Sequence, residues 1–487
     1  MNRVLINIKG VVQGVGFRPF VYNLAKSLNL KGTVTNTSDG VAIDIEGEDI
    51  TSFIGRLPKE APPLSEINKI DISPMPFYGH KDFEIVKSRD SGSFTLISSD
   101  VSICDDCLKE MLDKDNRRYL YPFINCINCG PRYTITNAVP YDRHNTTMSV
   151  FKMCNECESE YNNTSDRRFH AQPNACSKCG PNLELKVKSG KLKVNEKEDP
   201  IKETIKLLRQ GGIVAIKGLG GFHIACDAAN KDAVERLRER KRKNNKPFAL
   251  MAPDMETIKK YCEVSEKEQE HLTSNKRQIV LLKKKDTGFR IQAEENHASC
   301  IMHHASVLPD SISPNNLYIG FMLPYTPLHY LLFYHPSDFQ LPNFDALVMT
   351  SGNISEEPIV VSNDEAAAKF SDMVDALLIH NRDIFMRVDD SVVRNHFLAH
   401  RTKPIFIRRS RGYAPEPISL DNDGPEVLGC GADIKNTFTL TKGSYAIPSH
   451  HIGDMENYET VKFFEESLSN LKKVYRVNPV AIGYDLH

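Results

Sequence analysis

The 487-residue chain has no tryptophan, almost no net charge and no long apolar run. With Lys+Arg 62 against Asp+Glu 63, no global field draws in nucleic acid, a membrane surface or another polyanion, so anion binding has to come from local sites. Balanced charge and the missing indole rings both weigh against a zinc-finger RNA-binding module, since phosphate-backbone binding needs a basic surface. Met1 opens directly onto "NRVLINIKG" with no apolar signal core, and nowhere do about 18 apolar residues run together, so a soluble cytoplasmic protein is expected. The length exceeds one compact core and predicts three or four domains.

Cysteine is where the pattern is dense. Eight of the twelve form four C-x-x-C pairs: Cys104/Cys107, Cys126/Cys129, Cys154/Cys157 and Cys176/Cys179. A shift of fifty positions lays Cys104 on Cys154, Cys126 on Cys176, Arg117-Arg118 on Arg167-Arg168, Tyr119 on Phe169 and Gly130-Pro131 on Gly180-Pro181, which marks an internal duplication. Each copy offers two thiolate pairs, the ligand set of a closed tetrahedral Zn²⁺ site, so two structural zinc ions are expected. Ligands are paired within each copy here, with exchange between copies left open. Unrelated thiol turns would not repeat this spacing. Cys226, Cys262, Cys300 and Cys430 stand alone and read as small buried residues.

Near the amino terminus, "INIKGVVQGVGFRPFVYNLAKSLNLKGTVTNTSDGVAIDIEG" reads as strand, Gly-rich loop, helix and two strands. Gly10, Gly14 and Gly16 precede the helix, where backbone amides can converge on an anion, and Arg18 adds a forked cation. The stretch "GVVQGVGFR" with "GTVTNTSDG" resembles the acylphosphatases over roughly the first 90 residues. The resemblance implies that Arg18 and the loop residues Gln13, Gly14, Val15, Gly16 and Phe17 bind a phosphate, and that Asn36 orients the attacking water.

Beyond the charged connector "KVKSGKLKVNEKEDP", a core strand runs into the Gly-rich loop of "GGIVAIKGLGGFHIACDA", with Lys217 and His223 close to backbone. A basic helix end follows in "VERLRERKRKNNKPFALM", and "ALVMTSGNISEEPI" delivers Thr350, Ser351 and Asn353 from a strand end, where α/β sheets place ligands. This region resembles the YrdC family, which joins ATP to a carbamoyl-type group as an adenylate. The resemblance implies nucleotide binding by Lys217, Arg240, Lys241, Arg242, Lys246, Ser351 and Asn353, with Mg²⁺ accompanying ATP. His297, His303 and His304 sit in a polar stretch without a second ligand cluster and are read as solvated. "RRSRGYAP" is read as a basic strand end or linker.

From Val427 the pattern is strand, Gly turn and further strands around one helix, with Lys435 and Asn436 in the first hairpin, an arrangement also found at the entry to actin-like ATPase lobes. The closing "NPVAIGYDLH" reads as a core strand of an incomplete lobe, its apolar face exposed for want of a partner. The order of these segments resembles the HypF family, carbamoyltransferases of NiFe-hydrogenase maturation. The fold class implied is multidomain α/β and α+β: an acylphosphatase-like ferredoxin-type sandwich (1–91), duplicated four-cysteine zinc fingers (92–185), a YrdC-like twisted α/β sheet (200–420) and a partial actin-like lobe (425–487). The resemblance further implies hydrolysis of carbamoyl phosphate, activation of carbamate with ATP as carbamoyl adenylate, nucleotide contacts from Lys435 and Asn436, and transfer of the carbamoyl group to the C-terminal Cys of HypE. Members of that family continue past "DLH" with a histidine-rich site. The chain is therefore expected to be shortened at its C-terminus, with residues 425–487 as its least stable part. The rival reading in the enzyme class is a YrdC-type threonylcarbamoyl-adenylate synthase for tRNA modification, which has no need of the first two segments.

Overall fold

The computed structural model describes residues 2–37, 40–87, 96–187, 198–242, 245–285, 308–335, 342–354, 357–395 and 404–486. His297, Cys300, His303 and His304 lie outside them.

The first unit contains β1 (Asn2–Val11), α1 (Phe17–Ser27), β2 (Lys31–Thr37), β3 (Gly40–Gly47), α2 (Ile50–Arg56), β4 (Glu66–Met75) and β5 (Phe83–Ile85). Its five strands lie in the order β4-β1-β3-β2-β5. Period-two alternation turns Ile6, Ile8, Val34, Ile43 and Ile45 to one face, where they bury Phe17, Val21 and Leu24 of α1. This is the expected ferredoxin-type sandwich. Antiparallel pairing of Asn36 with Val41 fixes the end of β2 beside the loop before α1.

The cysteine region has little regular structure beyond α3 (Asp105–Leu112) and α4 (Asn155–Asn162), each beginning immediately after a cysteine. Its core is built from Cys107, Met111, Tyr121, Phe123 and Ile124, continuous with the core of the next unit.

That unit is a mixed ten-stranded sheet of β6 (Leu183–Val187), β7 (Val214–Lys217), β8 (Phe222–Asp227), β9 (Ala249–Met251), β10 (Ile279–Lys283), β11 (Tyr318–Met322), β12 (Leu347–Ser351), β13 (Ala376–His380), β14 (Val392–Arg394) and β15 (Ile405–Arg408). The order is β15-β14-β10-β11-β9-β12-β8-β7-β13-β6. Residues 183–187 pair with β13 and so extend this sheet. Apolar side chains cover both faces: Val214, Ile216 and Met349 on one, Ile213, Ile224 and Val348 on the other.

The last unit is a four-stranded sheet, β16 (Ile418–Gly424), β18 (Phe438–Pro448), β17 (Val427–Cys430) and β19 (Ala481–Gly483) in that order across it. The helix Tyr458–Tyr475 packs Phe463, Leu471 and Val474 against Phe438 and Leu440, and the same cluster reaches Ile97, Tyr133 and Met386 of the preceding units. The closing strand forms and leaves its apolar face open: β19 is a three-residue edge strand parallel to β17, with Val480 and Ile482 exposed. An apolar run specifies a strand, whereas its burial depends on what lies over it.

Candidate functional site

The loop between β1 and α1 makes a pocket of about 30 Å³ lined by Gln13, Gly14, Gly16, Phe17, Arg18 and Asn36. Gly14 (φ 74°) and Gly16 (φ 77°) hold left-handed backbone, a conformation in which successive amides can converge on an anion at the head of α1. Arg18 is buried. Asn36 is buried beside it, and neither atom of its side-chain amide has a hydrogen-bond partner in the protein. An unpartnered buried amide facing a pocket is costly unless a ligand or water completes it. Gln13 plays a different part through its side chain: its Nε2 donates to the carbonyls of Thr37 and Gly40, and its Oε1 accepts from the Tyr141 amide.

The cysteine region roofs this pocket, and sequence reasoning did not find that roof. Cys126, Ile127, Arg132, Tyr141, His170 and Gln172 complete the lining. Arg18 pairs with Asp142 at 3.0 Å. Arg132, fully buried, donates to the carbonyls of Gly14, Ile127, Cys129 and Pro131, tying the loop to the first Cys turn. Burial, with Arg18 nearby, pushes His170 down to about 4, so its ring is neutral at pH 7. The fifty-residue repeat was the one signal near these residues, and it points to the ligands rather than to their neighbours.

Each four-cysteine set gathers within its own repeat, so the pairing within copies is the one observed. Sγ to Sγ separations are 3.7 Å for Cys104–Cys126, 3.8 Å for Cys126–Cys129 and 3.6 Å for Cys107–Cys129. The second set repeats them: 3.7, 3.8 and 3.6 Å for Cys154–Cys176, Cys176–Cys179 and Cys157–Cys179. A tetrahedron of sulfurs about 2.3 Å from a central ion has edges of about 3.8 Å, so both sets fit Zn²⁺, and the separations are far too long for disulfides. Four sulfurs close the coordination shell and leave a structural role. Arginines cross between the repeats: Arg117 Nη2 donates to Cys157 Sγ at 3.3 Å, and Arg167 Nη2 to Cys107 Sγ at 2.7 Å. Arg118 pairs with Glu160 and Arg168 with Glu110 in the same exchanged sense.

The expected nucleotide residues divide. Lys241, Lys246, Ser351, Asn353 and Lys435 line one cleft of about 510 Å³ between the central sheet and the last unit. Lys241 Nζ donates to the Ser351 carbonyl and to Asn353 Oδ1 at 3.0 Å, fixing the "TSGN" turn. Four others are placed elsewhere. Arg240 pairs with Asp375, and Arg242 is exposed just past the helix Lys231–Arg240. Asn436 turns its Nδ2 to the carbonyls of Gly431 and Ala432, bracing its own loop. Lys217 lines a separate cavity. The cleft also gains Asp389, Arg408, His451 and Asp454, which the sequence reading did not assign, although Arg408 opens the stretch "RRSRGYAP". Burial, then Arg408, pushes His451 down to about 4, leaving it neutral.

These features define a class: an acylphosphatase-type pocket and a YrdC-type cleft joined through paired four-thiolate centres. Family models match in that order, the acylphosphatase model at residues 4–85, the HypF finger at 103–136 and 153–185, the Sua5/YciO/YrdC model described as telomere recombination at 206–410, and the HypF Kae1-like domain at 422–487. The chain is 44% identical to carbamoyltransferase HypF2 of Cupriavidus necator, across 100% of this chain and 59% of that protein. It is 43% identical to the probable carbamoyltransferase HypF of Methanocaldococcus jannaschii, across 100% of this chain and 60% of that one. A crystal structure of full-length HypF in a phosphate- and nucleotide-bound form superposes with a TM-score of 0.90 at 45% identity, covering 100% of this chain and 60% of that one. The chain is similar to HypF carbamoyltransferases along its whole length and spans about 60% of the length of the curated relatives it matches. No helix among the described residues is long and apolar enough to cross a membrane.

Proposed function

We propose that the chain carries out the carbamoyl-activating reactions of a HypF-type carbamoyltransferase in the cytoplasm. In the first pocket, Arg18 and the amides of residues 13–17 hold the phosphate of carbamoyl phosphate, and Asn36 orients a water for attack at phosphorus. The P–O bond to the acyl oxygen breaks, giving carbamate, inorganic phosphate and a proton. Charge developing on the phosphoryl oxygens is met by preorganised donors, so neither a catalytic carboxylate nor a metal is called for at this step.

In the larger cleft, Lys241, Lys246, Ser351 and Asn353 hold ATP, with Lys435 on the facing wall. Mg²⁺ bound with ATP would neutralise its phosphates there. A carbamate oxygen attacks the α-phosphorus, and pyrophosphate leaves as carbamoyl adenylate forms. The sulfur of the C-terminal Cys of HypE then attacks the carbamoyl carbon, the C–O bond to the phosphate breaks, and AMP and the thiol proton are released, which completes the proposed sequence. Carbamate decomposes in water, which favours keeping both sites in one chain.

The observation that carries this reading is the buried Arg18–Asn36 pair at the head of α1 in the same chain as the lysine-lined cleft. Purified chain given carbamoyl phosphate and ATP is expected to release pyrophosphate. Arg18→Ala is expected to lower that release by about 100-fold or more. Unchanged release in Arg18→Ala overturns the reading.

A further inference from the structure

Lys217 and Arg382 pose a charge problem that neither the phosphate pocket nor the nucleotide cleft resolves. Both are almost fully buried, at 2% and 5% exposed. Lys217 ends β7 and donates to the His380 carbonyl at 3.2 Å. The Arg382 guanidinium sits over the Phe123 ring, 5.3 Å from its centroid, and its Nε has no hydrogen-bond partner.

Among the described residues, neither cation has a carboxylate in ion-pair contact. The acids that act on them do so from a distance. Asp383, which acts on Lys217, is exposed, and Asp100, which acts on Arg382, already accepts from the Arg132 amide and from Thr134. The contrast with Arg411 is direct, since that equally buried guanidinium meets Asp390 at 2.6 Å. Burial accordingly pushes Lys217 down to about 8 and Arg382 down to about 10. Buried charges in folded proteins are paired, and two unpaired cations of one sign are doubly costly.

Both cations line one cavity, floored by Gly218 and Tyr325 of the central unit and closed by Phe123, Gly130 and Pro131 of the cysteine region. It has about 30 Å³ for the centres of water-sized groups, room for about two. That suits a small planar anion and is too little for a nucleotide. The cavity shares a wall with the phosphate pocket: Ile124, Gly130 and Pro131 face this side, whereas Cys126, Ile127 and Arg132 face the other.

We propose that Lys217 and Arg382 form a binding site for a small planar carboxylate-type monoanion of the carbamate and bicarbonate class. The guanidinium supplies a fork matched to two coplanar oxygens, and the ammonium adds a point charge. The rest of the lining is largely apolar, with Val101, Ile103, Leu219 and Leu328 among it. Protonation at nitrogen is the step that breaks the C–N bond of carbamate, the anion and one proton giving ammonia and carbon dioxide, so a site whose two cations hold the anion through its oxygens favours the anionic form. Carbamate as the natural occupant rests on the function proposed above, whereas the anion site itself rests on the two cations.

The test uses bicarbonate as a stable probe on the full chain. Bicarbonate is expected to raise the thermal midpoint saturably, by about 2 to 4 °C at ten times its half-saturating concentration, beyond equal ionic strength of chloride. Arg382→Gln and, independently, Lys217→Met are expected to lose that shift, and either variant suffices if the other does not fold. No bicarbonate-specific shift in the parent, or a full shift retained in a folded variant, overturns the site. A parent that shows the shift yet releases no pyrophosphate with carbamoyl phosphate and ATP keeps the anion site and removes the relay.

Discussion

Residues 126–132 and 176–182 occupy equivalent places in the two cysteine repeats, yet Arg132 is fully buried while its counterpart Asn182 is exposed. The first turn stands between two cavities and ties down the phosphate loop through Arg132. The second leads straight into β6 at the edge of the central sheet, where the Asn182 amide donates to Asn381. The two Cys turns thus hold different things, the first tying down the phosphate loop and the second anchoring a sheet edge, while the second repeat also lends His170 and Gln172 to the pocket's roof. Duplication preserved the ligands and let their surroundings diverge.

Removing a ligand from each centre breaks the comparison most strongly. Cys129→Ser is expected to lose the first zinc and with it several kcal/mol of stability, since metal affinity is folding free energy at such sites. Carbamoyl phosphate hydrolysis should fall with it, because Arg132 takes its purchase on the loop from that turn. Cys179→Ser should lose the second zinc and retain more hydrolysis. Zinc stoichiometry, unfolding and phosphate release on the two proteins decide it, and equal loss of hydrolysis in both would erase the functional asymmetry. The next effect isolates the flanking residue. Arg132→Ala removes the donor from four carbonyls and is expected to cost about 3 kcal/mol or more, against about 0.5 kcal/mol or less for Asn182→Ala. Denaturant unfolding of the pair measures the difference.

How much of this was legible in the sequence follows the range of the interactions. The four-cysteine sets, the Gly14 and Gly16 turn with Arg18, and the "TSGN" turn are local patterns, in which ligand spacing or backbone conformation is encoded within a few residues. The roof of Arg132, Asp142 and His170 is tertiary, brought to Arg18 across more than a hundred residues, and no local pattern announces it. Lys217 and Lys241 look alike in sequence as basic residues beside Gly-rich or basic stretches, yet β7 and the helix Lys231–Arg240 deliver them to different cavities. Asn436 lies one residue from Lys435, whose backbone is left-handed (φ 56°), and donates into its own loop rather than lining the cleft. At β19 an apolar run identified the strand and its open face, but not its place at a sheet edge.

The exchanged arginines sharpen the comparison at its finest level. Each repeat's thiolates are hydrogen-bonded by the other repeat's arginine, so neither centre has a complete outer shell without its partner. The two exchanges are unequal: Arg167 reaches Cys107 at 2.7 Å and Cys104 at 3.4 Å, whereas Arg117 reaches Cys157 at 3.3 Å. Outer-shell donors of this kind orient ligands and offset the negative charge of a four-thiolate site, and their loss typically lowers metal affinity about 10- to 100-fold. Arg167→Gln, a change in the second repeat, is therefore expected to speed zinc release from the first centre. Arg117→Gln should do the reverse by a smaller factor. Chelator competition, followed in parallel on proteins carrying Cys129→Ser or Cys179→Ser so that only one centre is loaded, assigns each release to its site. If Arg167→Gln loosens only the centre of its own repeat, the exchange has no energetic content and the two fingers are independent.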